Sequence, residues 1–121
     1  MKKSLFQLYI NGCEDAVPFY EKAFDAVAGN MYRDPSDNSI LHCELKFLGQ
    51  VIALSERTGE TCCGNTMQLC FQLGGDEVLI KKIYETLKKD ADIHFPLGKC
   101  VFSPLMFGLV DKFGVNWCFF I

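Results

Sequence analysis

The sequence predicts an α+β fold: paired βαβββ modules whose curled, mostly antiparallel sheets enclose a cleft. Three observations predict it. First, "SLFQLYINGCED" at residues 4–15 and "MQLCFQLGGDE" at residues 67–77 are both alternating apolar runs that end in glycine and then acid. Second, the two halves superimpose by arithmetic. Adding 63 carries Phe6, Leu8, Ile10, Val17, Tyr20 and Phe24 onto Leu69, Phe71, Leu73, Ile80, Ile83 and Leu87. Adding 65 carries Gly49, Ile52, Ala53 and Leu54 onto Gly114, Trp117, Cys118 and Phe119. Third, each half continues as one helical pattern and three strand-like pieces. A repeat of this length outranks local assignments, and the 121 residues are expected to form one domain over 1–121, with modules at about 1–60 and 66–121.

The elements follow in order. In "LFQLYI" the period of two puts Phe6, Leu8 and Ile10 on one face and Leu5, Gln7 and Tyr9 on the other. "EDAVPFYEKAFDAV" reads as a helix with a Val17, Tyr20 and Phe24 stripe. Pro18 suits a first turn, so the helix is expected to begin near Asp15. Strands follow near Asn30–Arg33, in "SILHCELKF" and in "QVIALSE", with a hairpin at Gly49–Gln50. The second half opens with "TMQLCFQL", then Asp76 as N-cap of "EVLIKKIYETLKK" with its Ile80, Ile83 and Leu87 stripe. "DIHFPLG", "SPLMFGLV" and "VNWCFFI" are its remaining strands, and "DKFG" makes the last turn.

Composition excludes several classes. Half the residues are apolar and 22% are charged, which argues for a packed core rather than disorder. A net charge of −3 with no basic cluster argues against nucleic acid. Lys2 and Lys3 precede an apolar stretch too short and too soon acidic for a secretory signal, and no apolar run reaches the roughly 20 residues of a membrane span. The seven cysteines are odd in number and form no C-x-x-C pair. They read mostly as small buried apolar residues in a reducing cytoplasm. Adjacent Cys62–Cys63 reads as part of an ordinary loop, with reactivity as the alternative.

The helix-facing sheet faces are apolar, whereas the opposite faces mix Gln7, Tyr9, Gln68, Gln72 and Asn116 with Val51, Ala53, Cys70, Cys118 and Phe120. Such amphipathic faces fit a ligand cleft. Tyr9, Phe102 and Phe120 would wall a ligand, and Gln7, Gln68, Gln72 and Asn116 would orient it. His42 and Glu44 lie two apart on one strand face, where they could act as base and orienting group or as two ligands. Lys46 continues their row, which equally suits a polar outer face. His94, before Phe95–Pro96, reads as structural.

"NGCEDAVPFYEKAF", "LHCELKFLGQVIALSE" and "VDKFGVNWCFF" resemble the vicinal-oxygen-chelate superfamily of glyoxalase and bleomycin-resistance proteins, in its PhnB-like branch, over essentially the whole chain. The resemblance implies that fold, a cytoplasmic homodimer and a cleft that in the superfamily's enzymes holds a divalent metal on His, Glu or Gln. Those ligand positions fall on or near Leu5, Ala53, Gln68 and Cys118, or on Gln7 with a small change of register. Leucine and alanine offer no lone pair, and Cys118 suits soft ions rather than hard ones. Expected are therefore no metal and no cofactor, with binding of a small molecule by sequestration, as in metal-free bleomycin-resistance relatives. Gln7, Tyr9, Gln68, Cys70, Gln72, Phe102, Asn116, Cys118 and Phe120 form the candidate ligand site. The alternative is a metal-dependent lyase, isomerase or dioxygenase with a non-standard site drawn from His42, Glu44, Gln68 and Cys118. A third reading is an interaction module whose interior its own side chains fill. Some proteins of this branch carry a demethylubiquinone methyltransferase name, but Gly74–Gly75 lacks the glycine-rich turn expected for a nucleotide-type methyl donor.

Overall fold

The structure, a computed structural model, describes residues 2–62 and 64–121. The chain divides into two compact units, Met1–Thr61 and Cys62–Ile121. The first contains β1 (Phe6–Ile10), α1 (Cys13–Phe24), β2 (Gly29–Arg33), β3 (Ile40–Phe47) and β4 (Gln50–Glu56). The second contains β5 (Leu69–Gln72), α2 (Glu77–Leu87), β6 (Asp92–Gly98), β7 (Met106–Val110) and β8 (Asn116–Phe120). Each unit is the expected βαβββ module, with sheet orders β1-β4-β3-β2 and β5-β8-β7-β6. Among the described residues no helix is long and apolar enough to cross a membrane.

In each sheet the first strand runs parallel to the last, and the remaining pairs are antiparallel. The register carries the repeat. Phe6 pairs with Ile52 and Leu8 with Leu54; the shifts of 63 and 65 turn these into the observed Leu69–Trp117 and Phe71–Phe119 pairs. Identical registers in two stretches of different sequence follow from a shared pattern of helix-facing apolar residues, because a slip of one residue would turn each set to the wrong face.

The cores are built on those faces. In the first unit Ile10, Leu45, Ile52 and Leu54 are fully buried with Tyr20 from α1, and Phe24 of the helix meets Phe47 of β3 at 4.8 Å between ring centres. In the second, Ile80, Ile83 and Leu87 of α2 are buried as their spacing predicts. Tyr84 packs on Phe107 at 4.9 Å, and Phe107 stacks on Phe119 at 5.2 Å.

Helix starts and turns refine the expectations. α1 begins at Cys13, two residues before the expected Asp15. The reason lies outside the local sequence: Gly12, at φ 92°, sits in the left-handed region, and the Glu56 carboxylate accepts from Gly12 N (2.9 Å) and Cys13 N (3.0 Å). That cap from β4 satisfies two orphan amides, and Pro18 is left inside the helix, where Glu14 O loses its usual i+4 donor. α2 caps itself as expected, with Asp76 Oδ1 accepting from Leu79 N at 3.0 Å. The β3–β4 turn falls on Leu48–Gly49 rather than Gly49–Gln50, since Phe47 pairs with Gln50. Both turn residues have positive φ, 53° and 76°, the geometry that matches strand twist in a two-residue hairpin. β7 starts at Met106, later than "SPLMFGLV" suggests, because buried Ser103 ties its hydroxyl to Leu105 O (2.8 Å) and Ile121 N (3.2 Å) and fixes the preceding loop against the chain's end.

The "DKFG" turn is organised by one buried carboxylate. Asp111 Oδ1 accepts from Phe113 N (2.9 Å) and Val115 N (3.1 Å), while Oδ2 accepts from Trp117 Nε1 (2.8 Å). Asp111→Ala removes the acceptor of three hydrogen bonds, that of the buried indole N–H among them, so it should cost about 3 kcal/mol. Urea unfolding followed by the fluorescence of Trp117, the sole tryptophan, measures it. A loss within error of zero would show the carboxylate to be dispensable.

Candidate functional site

In the first unit the face of the sheet away from α1 is set by register. Gln7 of β1 pairs with Ala53 of β4, and Ala53 pairs with Glu44 of β3, so the three lie in one row across the sheet. Tyr9 and Ser55 form the next row, and Lys46 faces Val51. His42 and Glu44 therefore share a face with Gln7, joining the expected ligand residues rather than a separate polar side.

These groups hold one another. Gln7 Nε2 donates to Ser55 Oγ at 2.9 Å. His42 Nε2 lies 2.9 Å from Glu44 Oε2 and donates to it in the Nε2–H tautomer. Asn30 Nδ2 donates to Glu44 Oε1 at 2.9 Å. Asn30 reaches that position because a register irregularity lies between Gly29 and Tyr32 and its own φ is 48°, a left-handed conformation that asparagine tolerates better than most residues. Tyr32, paired with His42 across the strands, places its ring 6.3 Å from the imidazole.

Glu44 is the more covered partner, with its side chain 11% exposed against 29% for His42. The hydrogen bond from His42 and then that from Asn30, with a smaller contribution from the Lys3 charge, hold its carboxyl below the ordinary range. It is therefore ionised at neutral pH. Such a pair can orient an imidazole and hold a proton at its ring, or present a carboxylate and a ring nitrogen to a polar ligand.

The corresponding face of the second unit has a different chemistry. Cys70 of β5 pairs with Cys118 of β8, and Cys118 with Gly108 of β7; by the repeat these occupy the places of Gln7, Ala53 and Glu44. Cys118 is buried, Cys70 exposed and Cys100 between the two. Exposure of Cys70 corrects its reading as a buried apolar residue: its strand side chain points away from the core. Cys13 and Cys43 are buried as expected, whereas Cys62 is exposed and Cys63 lies outside the described residues. Burial, then a hydrogen bond and charge from Cys70, then charge from Cys100, push the Cys118 thiol up to about 12.

Around the sulfurs, Phe102 packs edge-on against Phe120, centres 5.3 Å apart. Gln68 donates to Asn116 Oδ1 at 3.1 Å, and Asn116 donates to Met67 O at 3.1 Å. Gln72 is turned back on its own loop, where Oε1 accepts from Gly74 N at 2.8 Å. Gln68 itself precedes β5 and, like Tyr9, Gln72 and Phe102, is exposed. His94 lies 3.7 Å from Asp92 on an exposed stretch of β6.

The superfamily's metal does not fit these residues. Ala53 is an apolar methyl, Leu5 precedes β1 with an apolar side chain, and among the described residues no group of three His, Cys, Asp or Glu is arranged to hold an ion. No carboxylate stands at any of the four positions, so the hard oxygen set that such an ion requires is lacking.

Two four-stranded sheets, each built βαβββ with a parallel first–last pair, define the glyoxalase/bleomycin-resistance fold of the vicinal-oxygen-chelate superfamily. Solved structures agree. Protein PA1353 of Pseudomonas aeruginosa is similar over 99% of this chain and 97% of its own, at TM-score 0.83 and 15% identity. A PhnB protein of Bacillus cereus, which carries a 3-demethylubiquinone-9 3-methyltransferase name, is similar over 98% of both chains, at TM-score 0.76 and 22% identity. The fosfomycin resistance protein FosX of Listeria monocytogenes, complexed with Mn(II) and 1S,2S-dihydroxypropylphosphonic acid, is similar over 98% of this chain and 90% of its own, at TM-score 0.74 and 16% identity. In sequence, the uncharacterized protein Mb0911c of Mycobacterium bovis is 27% identical over 118 residues, 91% of this chain and 76% of that protein. No protein-family model matches the chain.

The sequence reading missed Asn30, Tyr32 and Ser55. Ser55 was findable, since it sits two places beyond Ala53 on the same strand; the other two depend on an irregular strand pairing. A test of the cluster follows from Glu44. Its folded pKa lies below the unfolded value, so its contribution is present above the ordinary carboxylate range and is lost as pH falls through the folded pKa. Glu44→Gln should cost about 1 kcal/mol at pH 7, and the difference from wild type should shrink as pH falls from about 4.5 toward 3. Urea titrations across that range measure it, and a difference independent of pH would remove Glu44 from the ionised network.

Proposed function

We propose that the chain is a small-molecule binding protein of the PhnB-like branch of the vicinal-oxygen-chelate superfamily, acting without the divalent ion of that superfamily's enzymes. The observation that carries the reading is a prearranged polar group on the sheet face away from α1. Gln7, Ser55, His42, Glu44 and Asn30 are oriented by their mutual hydrogen bonds, next to the apolar Val51 and Ala53 and the exposed ring of Tyr9.

That composition suits a partly apolar ligand with a few hydrogen-bonding groups, because orientation comes from polar contacts and affinity from the apolar body. Prearranged groups bind at lower entropic cost than mobile ones. Gln68, Asn116, Phe102 and Phe120 extend the same logic on the second sheet, with Cys70 and Cys118 as its sulfur-lined floor and Gln72 at its edge. FosX holds a phosphonate together with Mn(II); this chain shares the frame but not a hard-ligand set. Methyl transfer is not part of the reading, since Gly74–Gly75 leads into a self-capped helix without the glycine-rich turn of a nucleotide-type methyl donor. A cytoplasmic homodimer belongs to the proposal through the superfamily resemblance and the free cysteines.

A second reading has one specific observation in its favour, the 2.9 Å contact between His42 and Glu44. It makes the protein an enzyme in which His42 moves a proton and Glu44 orients it, with metal as an optional partner. Metal analysis of protein purified without chelator, together with product detection by mass spectrometry, separates the two. Stoichiometric divalent metal, or turnover abolished by His42→Ala with ligand affinity retained, selects the enzyme.

The binding reading is tested by screening polar metabolites with protein-detected NMR and measuring Kd for the ligand found. Tyr9→Ala and Gln7→Leu should each weaken binding about tenfold, equivalent to about 1.4 kcal/mol. Affinities unchanged in both variants would sink the assignment.

A further inference from the structure

The second unit carries sulfur where the first carries amide and methyl. Cys70 and Cys118 are register partners on the parallel strands β5 and β8. Their neighbours Phe71 and Phe119, also partners, stack on the core side at 5.5 Å, so both thiols face the other way, side by side. Met106 and Gly108 alternate on β7 along that same face, Gly108 opposite Cys118. Gly108 puts no side chain beside Cys118, and the place a Cβ would take is lined by Gln68 Nε2 at 3.7 Å, Trp117 O at 3.8 Å and Phe95 Cβ at 3.9 Å. Cys100 is close enough to bear on the Cys118 thiol electrostatically, its loop held by Cys100 N to Ser103 O at 2.9 Å.

The spacing of the pair decides what it can do. Partners in a parallel sheet stand about 4.8 Å apart, and their Cβ atoms keep that separation. A disulfide wants Cβ atoms about 3.8 Å apart, so a direct bond would pull the two strands together. Two thiolates whose Cβ atoms stand about 4.8 Å apart can turn their sulfurs onto one ion by side-chain rotation, without moving the backbone. Soft sulfur ligands suit copper(I), zinc and iron–sulfur clusters; two thiolates fall short of the four ligands of structural zinc or a cluster, which leaves copper(I), and a thioether can assist.

We propose that Cys70 and Cys118 form a two-sulfur clip for copper(I), with Met106 on the same face of the sheet. This goes beyond the small-molecule reading, which stands or falls on the ligand affinities of the Tyr9 and Gln7 variants. The clip differs from the superfamily's metal site in drawing both ligands from one unit and in taking a soft ion instead of a hard one. Binding is not a redox step: Cu(I) replaces the two thiol protons, which pass to the buffer, and copper keeps its oxidation state. Cys70 is exposed and Cys118 buried, so Cys70 is the point of entry.

The experiment is an anaerobic competition for Cu(I) against bicinchoninate, using the whole chain, with native mass spectrometry of the product. Wild type should withdraw one equivalent and gain, as neutral mass, one copper less one proton. Cys70→Ser, an exposed change that leaves the core intact, should weaken the site at least a hundredfold. Cys118→Ala should do the same, with Trp117 fluorescence confirming that it folds, and Cys62→Ser should leave uptake unchanged. No uptake by wild type, or equal uptake by Cys70→Ser, overturns the proposal. So does a Cys70–Cys118 disulfide found by peptide mapping of protein purified without reductant, since it would contradict the spacing.

Discussion

Each unit depends on one parallel strand pair. A βαβββ chain could fold into a simple antiparallel meander; instead its first strand returns beside its last. This pairing buries β4 and β8 in the middle of their sheets, which explains why "VIAL" and "NWCFF" are nearly continuous apolar runs rather than alternating ones. It also creates the candidate site. Gln7 meets Ala53, and Cys70 meets Cys118, only because residues 46 and 48 apart are brought into register by that pair. The helix follows from it too, since it covers the apolar face that the pairing assembles.

Much of this was legible in the sequence. The shifts of 63 and 65 state that the two halves repeat one pattern, and the matching registers of the two sheets follow it. The Asp76 cap and the stripes of both helices needed only local spacing. Less legible were features made by distant residues. Glu56 decides where α1 begins, 44 residues away from the Gly12 amide it binds, and no local pattern around Pro18 announces it. The Leu48–Gly49 turn was misplaced by one residue because leucine rarely adopts a positive φ, and only the strand register forces it there.

The site was half visible. Gln7, Tyr9, Gln68 and Asn116 were placed by alternation, and alternation holds. His42 and Glu44 could be put on one face of a strand, but sequence could not decide that this face is the one shared with Gln7; the Glu44–Ala53 pairing does. Asn30 was out of reach, since its approach to Glu44 depends on the irregular β2–β3 pairing. The two halves have meanwhile diverged. Where the first unit places Gln7, Ala53 and Glu44, the second places Cys70, Cys118 and Gly108. One backbone pattern thus presents hydrogen bonds on one sheet and polarizable sulfur on the other, while the apolar sides stay alike.

The unequal caps of the two helices bear on how the chain is made. α2 carries its own first-turn acceptor in Asp76, so its amides are satisfied as soon as that stretch leaves the ribosome. The opening turn of α1 waits for Glu56, and a long loop must close before that help arrives. During synthesis the earlier helix is therefore the one left fraying, and its start becomes fixed only when the last strand of its unit has docked.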